Sequence, residues 1–219
     1  MRYDMILENW FPQNIAYVFN PNHNKIEEEL TNYCLEVKEK DNELHQKNWV
    51  SKTYNKSIVG VHKFYELNKW VEQQVNQYIM VNGIINGNIN GTKDSWFNIY
   101  NKGDFQEYHC HASFISCIYF LKSDENDAKV IFKSPVDDMI NVEYDNDNNP
   151  TGTVKFKPNP GKLIIFRSYL NHCVEQKITD GHRISLAYNY NKDNMKELKL
   201  IPPTDPRVQT AIALLQMIC

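Results

Sequence analysis

The chain has 219 residues, a formal net charge of −3, 42% hydrophobic and 12% aromatic residues. That composition is a globular one, long enough to bury a sizeable core. It carries no overall basic field, so nucleic acid is not favoured as a partner. The five cysteines, Cys34, Cys110, Cys117, Cys173 and Cys219, form no C-x-x-C pair. They read as reduced thiols of a cytoplasmic protein. Met1-Arg2-Tyr3-Asp4 has neither the basic nor the apolar stretch of a secretion signal, and no apolar run approaches the roughly 18 residues of a membrane helix.

In chain order, Ile15 to Phe19 is a short β-rich run closed by Asn20-Pro21-Asn22. Lys25 to Lys40 is predicted as a helix, because Ile26, Leu30, Tyr33, Cys34 and Val37 recur at helical spacing. Lys63 to Met80 is predicted as a second, with Phe64, Leu67, Trp70, Val71, Val75, Tyr78 and Ile79 on its apolar face. Asn82-Gly83, Asn86-Gly87 and Asn90-Gly91 then predict a turn-rich loop, since these pairs accept positive φ.

Beyond residue 94 short β-rich runs follow one another: Trp96–Tyr100, Phe105–His111, Phe114–Leu121, Lys129–Phe132, Ile140–Tyr144, Thr153–Phe156, Lys162–Phe166, His172–Gln176 and Arg183–Tyr190. Many short strands with polar or Pro/Gly turns predict a sandwich or barrel. Asp145 to Pro150 is expected as a hairpin tip or loop, and a final helix is expected over about Asp205 to Met217, after Pro202-Pro203. With no internal repeat or long linker, residues 1–219 are expected as a single domain: a supporting N-terminal part (1–94), a β-core (95–191) and a C-terminal extension (192–219). The N-terminal helices are read as structural support or as the surface of a homo-oligomer.

The chemistry gathers on a few of these runs. On a strand, His109 and His111 point the same way, because side chains alternate with period two. His172, on another strand, would close a three-point metal site. Glu107 shares the expected face and is a substitute ligand if the strand bends. Cys110 and Cys173 neighbour the proposed ligands and are expected on the opposite face. Arg183 and Ser185 share a face further on, a fixed cationic fork and a hydroxyl suited to a carboxylate. Asn98 and Tyr100 offer polar groups at similar depth. Taken singly, a histidine is more often structural than a ligand, and an arginine more often a surface ion pair.

The ordered set resembles the Fe(II)/2-oxoglutarate-dependent oxygenases, in particular bacterial and phage members related to prolyl hydroxylases. The strings that carry the resemblance are Trp96-Phe97-Asn98, Gly103-Asp104, His109-Cys110-His111, Ser116-Cys117-Ile118-Tyr119-Phe120-Leu121, Pro160-Gly161-Lys162-Leu163-Ile164-Ile165-Phe166, His172 and Arg183-Ile184-Ser185. They span roughly residues 95 to 191. The resemblance implies a mainly β fold with flanking helices, a double-stranded β-helix or cupin-like jelly-roll. It implies Fe(II), 2-oxoglutarate and O2 as cofactor and co-substrates. It also implies hydroxylation of a peptide, prolyl or small-molecule substrate with release of succinate and CO2, in the cytoplasm, or the host cytoplasm if the protein is phage-encoded. Position by position, His109 and His172 take the places of the iron histidines. His111 takes that of the family's usual carboxylate. Arg183 and Ser185 take those of the co-substrate clamp, with Asn98 and Tyr100 assisting. Phe120 stands where some prolyl hydroxylases use a tyrosine. The rival expectations are a non-oxygenase jelly-roll, either a cupin-like binding protein with zinc or no metal, or a metal-dependent isomerase or hydrolase. Neither rival needs the Arg183–Ser185 clamp.

Overall fold

The computed structural model describes residues 13–40, 52–54, 57–84, 89–124, 126–135 and 152–192. Its strands are β1 (Ala16–Phe19), β2 (Lys52–Tyr54), β3 (Ile89–Tyr100), β4 (Gln106–His109), β5 (Ile115–Lys122), β6 (Val130–Lys133), β7 (Thr153–Phe156), β8 (Lys162–Arg167), β9 (His172–Val174) and β10 (Arg183–Lys192). Its helices are α1 (His23–Lys40) and α2 (Tyr65–Val81), the second led in by a 3-10 turn at His62–Phe64. The expected strand Ile140–Tyr144, the loop Asp145–Pro150, the Asn86-Gly87 turn and the final helix lie outside the described residues.

All strand pairs are antiparallel. One sheet runs β1-β8-β5-β10-β3-β2 and the other β4-β9-β6-β7. From β3 to β6, and again from β7 to β10, each successive strand crosses to the opposite sheet, which is the winding of a jelly-roll. Period-two alternation sorts the side chains of the larger sheet onto its two faces. Ile115, Cys117, Tyr119 and Leu121 of β5, with Ile184, Leu186, Tyr188 and Tyr190 of β10, pack against Leu30 and Cys34 of α1 and Leu67, Val71, Val75 and Ile79 of α2. Phe120, Ile164 and Phe166 turn the other way and meet Val130, Phe132 and Val174 of the smaller sheet. The helices therefore cover one face of the large sheet and leave the other to the space between the sheets. No described helix is long and apolar enough to cross a membrane.

The helix periodicity holds, with Trp70 half-buried against the same core. Two local expectations change. Helix α1 starts two residues early, because Asn20 makes the turn that launches it: its Oδ1 accepts from Asn22 N and its carbonyl from His23 N. Asn82-Gly83 is the expected turn, with Gly83 at φ 63°, but Asn90-Gly91 lies inside β3. There the extended β10 supplies the ladder, with Asn191 opposite Asn90 and Lys192 opposite Ile89. Strand pairing overrides the turn preference.

Candidate active site

Between the sheets, β10 and β3 form one wall of a trough. Arg183 faces Tyr100, Ser185 faces Asn98 and Ala187 faces Trp96 as direct cross-strand partners. On the other side of β10, Phe120 lies opposite Ser185, Ile118 opposite Ala187 and Ser116 opposite Asn189. The smaller sheet brings His109 and His172 over this wall, as register partners of β4 and β9. The cavity proper is narrow, about 20 Å³, within about 420 Å³ of space between the lining residues that is open to solvent at its mouth.

The three histidines converge. Their potential ligand atoms all lie within 4.8 Å of one another. Ring centroids are 4.2 Å apart for His109–His172, 5.1 Å for His109–His111 and 5.2 Å for His111–His172. His109 Nδ1 lies 2.8 Å from Glu107 O, and His172 Nδ1 lies 2.9 Å from Leu170 O. A carbonyl can only accept, so both Nδ1 atoms carry the proton and both Nε2 atoms keep the lone pair a metal needs. Burial, aided by the neighbouring His109, pushes His111 down to about 4 and His172 down to about 3; burial also lowers His109. At neutral pH the cluster is three uncharged imidazoles, the donor set of a divalent transition metal.

The convergence does not arise from a regular strand. β4 ends at His109, and His111 follows it in irregular backbone, fixed by the bond from its N–H to Ser168 O (2.9 Å). Within β4, Gln106 pairs with Val174 and His109 with His172, so three residue steps face two. This bulge breaks the alternation. Gln106 and His109 both turn inward, while Glu107 and Tyr108 are exposed. Glu107 is therefore not in the cluster, and its part is played by its carbonyl. Cys110 is exposed and Cys173 lies beside Tyr108, outside the ligand cluster.

Arg183 sits at the closed end of the trough, 1% exposed. Its guanidinium carbon is 4.7 Å from the Tyr100 ring centroid and 5.3 Å from that of Phe120. Burial lowers its pKa, but a guanidinium remains charged. Nε and Nη1 are buried with no hydrogen-bond partner among the described residues. Each cation–π contact returns about 2 kcal/mol or more when desolvated. Burying an ion costs several kcal/mol. Tyr100, Phe120 and the charge of Asp127 offset part of that cost, and Nε and Nη1 keep the capacity to donate to an anion. Phe120, which has no hydroxyl to offer, serves here as a ring face.

Sequence reasoning overlooked Gln106, whose Oε1 accepts from Tyr100 Oη at 2.8 Å. It also overlooked Lys177, which is fully buried. Lys177 Nζ donates to both carboxylate oxygens of Asp127 at 3.0 Å and to Thr179 Oγ1 at 2.6 Å. Its backbone holds the turn between β3 and β4 through Gly103 N (2.7 Å) and Asp104 O (2.8 Å). A lysine in a polar loop carries no sequence signal of burial.

Residues 94–189 match the model of a family described as "Putative 2OG-Fe(II) oxygenase". The match covers 96 of the 219 residues, under half of the chain. It contains every residue lining the trough and excludes both helices. The fold has solved counterparts. A Pseudomonas putida prolyl-4-hydroxylase is 14% identical, with a TM-score of 0.60 over 83% of this chain and 94% of its own. A Trichoplax adhaerens prolyl hydroxylase, in complex with a hypoxia inducible factor peptide fragment, is 16% identical, with a TM-score of 0.59 over 84% and 86%. HygX from Streptomyces hygroscopicus, with nickel, 2-oxoglutarate and hygromycin B bound, is 10% identical, with a TM-score of 0.59 over 84% and 85%. At these identities the likeness is one of fold. Comparison with curated protein sequences gives no match.

Proposed function

We propose that the protein is an Fe(II)- and 2-oxoglutarate-dependent dioxygenase that hydroxylates a peptide, prolyl or small-molecule substrate. One observation carries this reading: a buried guanidinium, whose Nε and Nη1 have no partner among the described residues, shares a trough with three neutral, convergent imidazoles. The residues fit both groups. His109, His111 and His172 would hold the metal. Arg183 and Ser185 would hold the far carboxylate of 2-oxoglutarate, with Asn98 and Tyr100 beside them. A bound iron supplies the redox chemistry that couples oxidative decarboxylation of 2-oxoglutarate to substrate oxidation. In balance, one oxygen atom of O2 enters succinate and the other the hydroxylated product, and CO2 leaves.

The protein's own share is binding, orientation and exclusion of water. The carbonyls of Glu107 and Leu170 hold two imidazoles in the ligating tautomer. Tyr100 and Phe120 wall the guanidinium so that a carboxylate meets it in a low dielectric. The helices act as buttresses of the large sheet, within one oxygenase unit spanning residues 1–219.

Anaerobic calorimetry tests the reading. One Fe(II) per chain and metal-dependent 2-oxoglutarate binding are expected, with succinate formed on admission of O2. His172→Ala should abolish stoichiometric iron binding, and Arg183→Ala should weaken 2-oxoglutarate tenfold to a hundredfold with the metal retained. A charge-assisted contact worth about 1.5–3 kcal/mol sets that range. Wild-type 2-oxoglutarate affinity in Arg183→Ala would leave a non-oxygenase metal-binding jelly-roll as the better reading.

A further inference from the structure

The inner face of β10 runs Arg183, Ser185, Ala187, Asn189 from the closed end outward. Six residues of strand cover about 20 Å, too far for one five-carbon dicarboxylate to fill. The outer part of the trough is thus left for a second molecule, and its lining differs from the inner part. Trp96, Ala187 and Ile118 form an apolar step across three adjacent strands, with the Trp96 ring 5.6 Å from that of His111. Ala187 is the smallest side chain on this wall and leaves the Trp96 ring as the main apolar surface beside His111.

Beyond the step lies a built hydrogen-bonding group. Ser116 Oγ donates to Asn189 Oδ1 at 2.7 Å and lies 2.8 Å from Ser168 Oγ. Ser168 is fully buried, and among the described residues Ser116 is the side-chain partner of its hydroxyl. Ser116 Oγ is the donor to both oxygens, Ser168 Oγ and Asn189 Oδ1. Its bond to Asn189 occupies the amide oxygen and leaves Nδ2 as a donor on the half-buried side chain that lines the trough.

We infer that Trp96, Ala187 and Asn189 form the subsite of the primary substrate, and that Asn189 is its specificity-determining residue. The ligand chemistry this fits is an aliphatic carbon seated on the apolar step with a neutral carbonyl acceptor next to it, as in an amide-flanked aliphatic residue. The inference rests on the oxygenase reading for the identity of the reaction, but the subsite itself is made by this wall alone.

The test uses acetyl-leucine-amide and acetyl-proline-amide as probes on the full chain. Binding is followed by calorimetry and by the tryptophan fluorescence difference between wild type and Trp96→Phe. Titrations are run with and without Mn(II) and 2-oxoglutarate. Saturable binding is expected, weakened about tenfold in Asn189→Leu, as for loss of one hydrogen bond of about 1 kcal/mol or slightly more. Ser116→Ala should weaken it less, by releasing the amide to flip. Both variants should keep wild-type 2-oxoglutarate and Mn(II) affinity. Probe binding unchanged in Asn189→Leu, or no probe binding by a protein that takes up Mn(II) and 2-oxoglutarate, overturns the subsite. Asn189-dependent probe binding without any 2-oxoglutarate binding would uphold the subsite and overturn the co-substrate reading instead.

Discussion

Arg183 lies directly across the β10–β3 ladder from Tyr100, with its guanidinium carbon 4.7 Å from the ring centroid. In the proposed site this cation is the group that meets the co-substrate carboxylate. Arg183→Lys should therefore restore only part of what alanine loses, because a lysine keeps the charge but not the planar fork. Calorimetric 2-oxoglutarate affinity about tenfold below wild type is expected. Full recovery would mean that charge alone is recognised.

His111→Asp tests the third metal position. Its imidazole is one of three converging donors, so a carboxylate there should still bind Fe(II), with altered absorption or EPR signatures. Coordination spectra identical to wild type would place His111 outside the ligand set. Glu107→Gln should change nothing at the metal, because only the Glu107 carbonyl faces His109.

The buried Lys177–Asp127 pair should be costly to break and cheap to replace. Lys177→Met strands a buried carboxylate, which costs about 3–5 kcal/mol. At about 2–4 °C per kcal/mol for a chain of this size, melting should fall by roughly 10 °C. The double variant Lys177→Met/Asp127→Leu should recover most of that loss. A double variant no more stable than the single would show that the ion pair is required in itself.

Acid should destabilise the metal-free protein through its histidines. His172 and His111 are held near 3 and 4, below the unfolded value of about 6.5. Between those limits the unfolded chain binds more protons, so stability rises with pH and is lost as pH falls from about 6.5. Denaturant midpoints from pH 7 to pH 4 should decline steadily, and less steeply in His172→Asn. An unchanged slope in that variant would assign the acid sensitivity elsewhere.

Much of this was legible in the sequence, and the failures have physical causes. The helix faces were readable because Leu30 and Cys34, or Val71 and Val75, sit four residues apart and share one core. The Arg183–Ser185 face was readable because β10 alternates regularly there. The histidine cluster was found through a strand that does not extend to His111. The bulge at Glu107–Tyr108 and the Ser168 carbonyl achieve the convergence instead, and neither has a one-dimensional signature. Gln106, Ser116 and Asn189 acquire meaning only from partners 6, 52 and 73 positions away.

The groups that orient His109 and His172 are both main-chain carbonyls, each two residues upstream of the ring it holds. A side-chain orienter can be deleted by one codon change; a carbonyl cannot. The tautomers of these two rings are thus insulated from point mutation, while the residues that shape the outer trough remain free to vary. Under the proposed assignment, Trp96, Ala187 or Asn189 can be remodelled without disturbing the proton placement on His109 and His172.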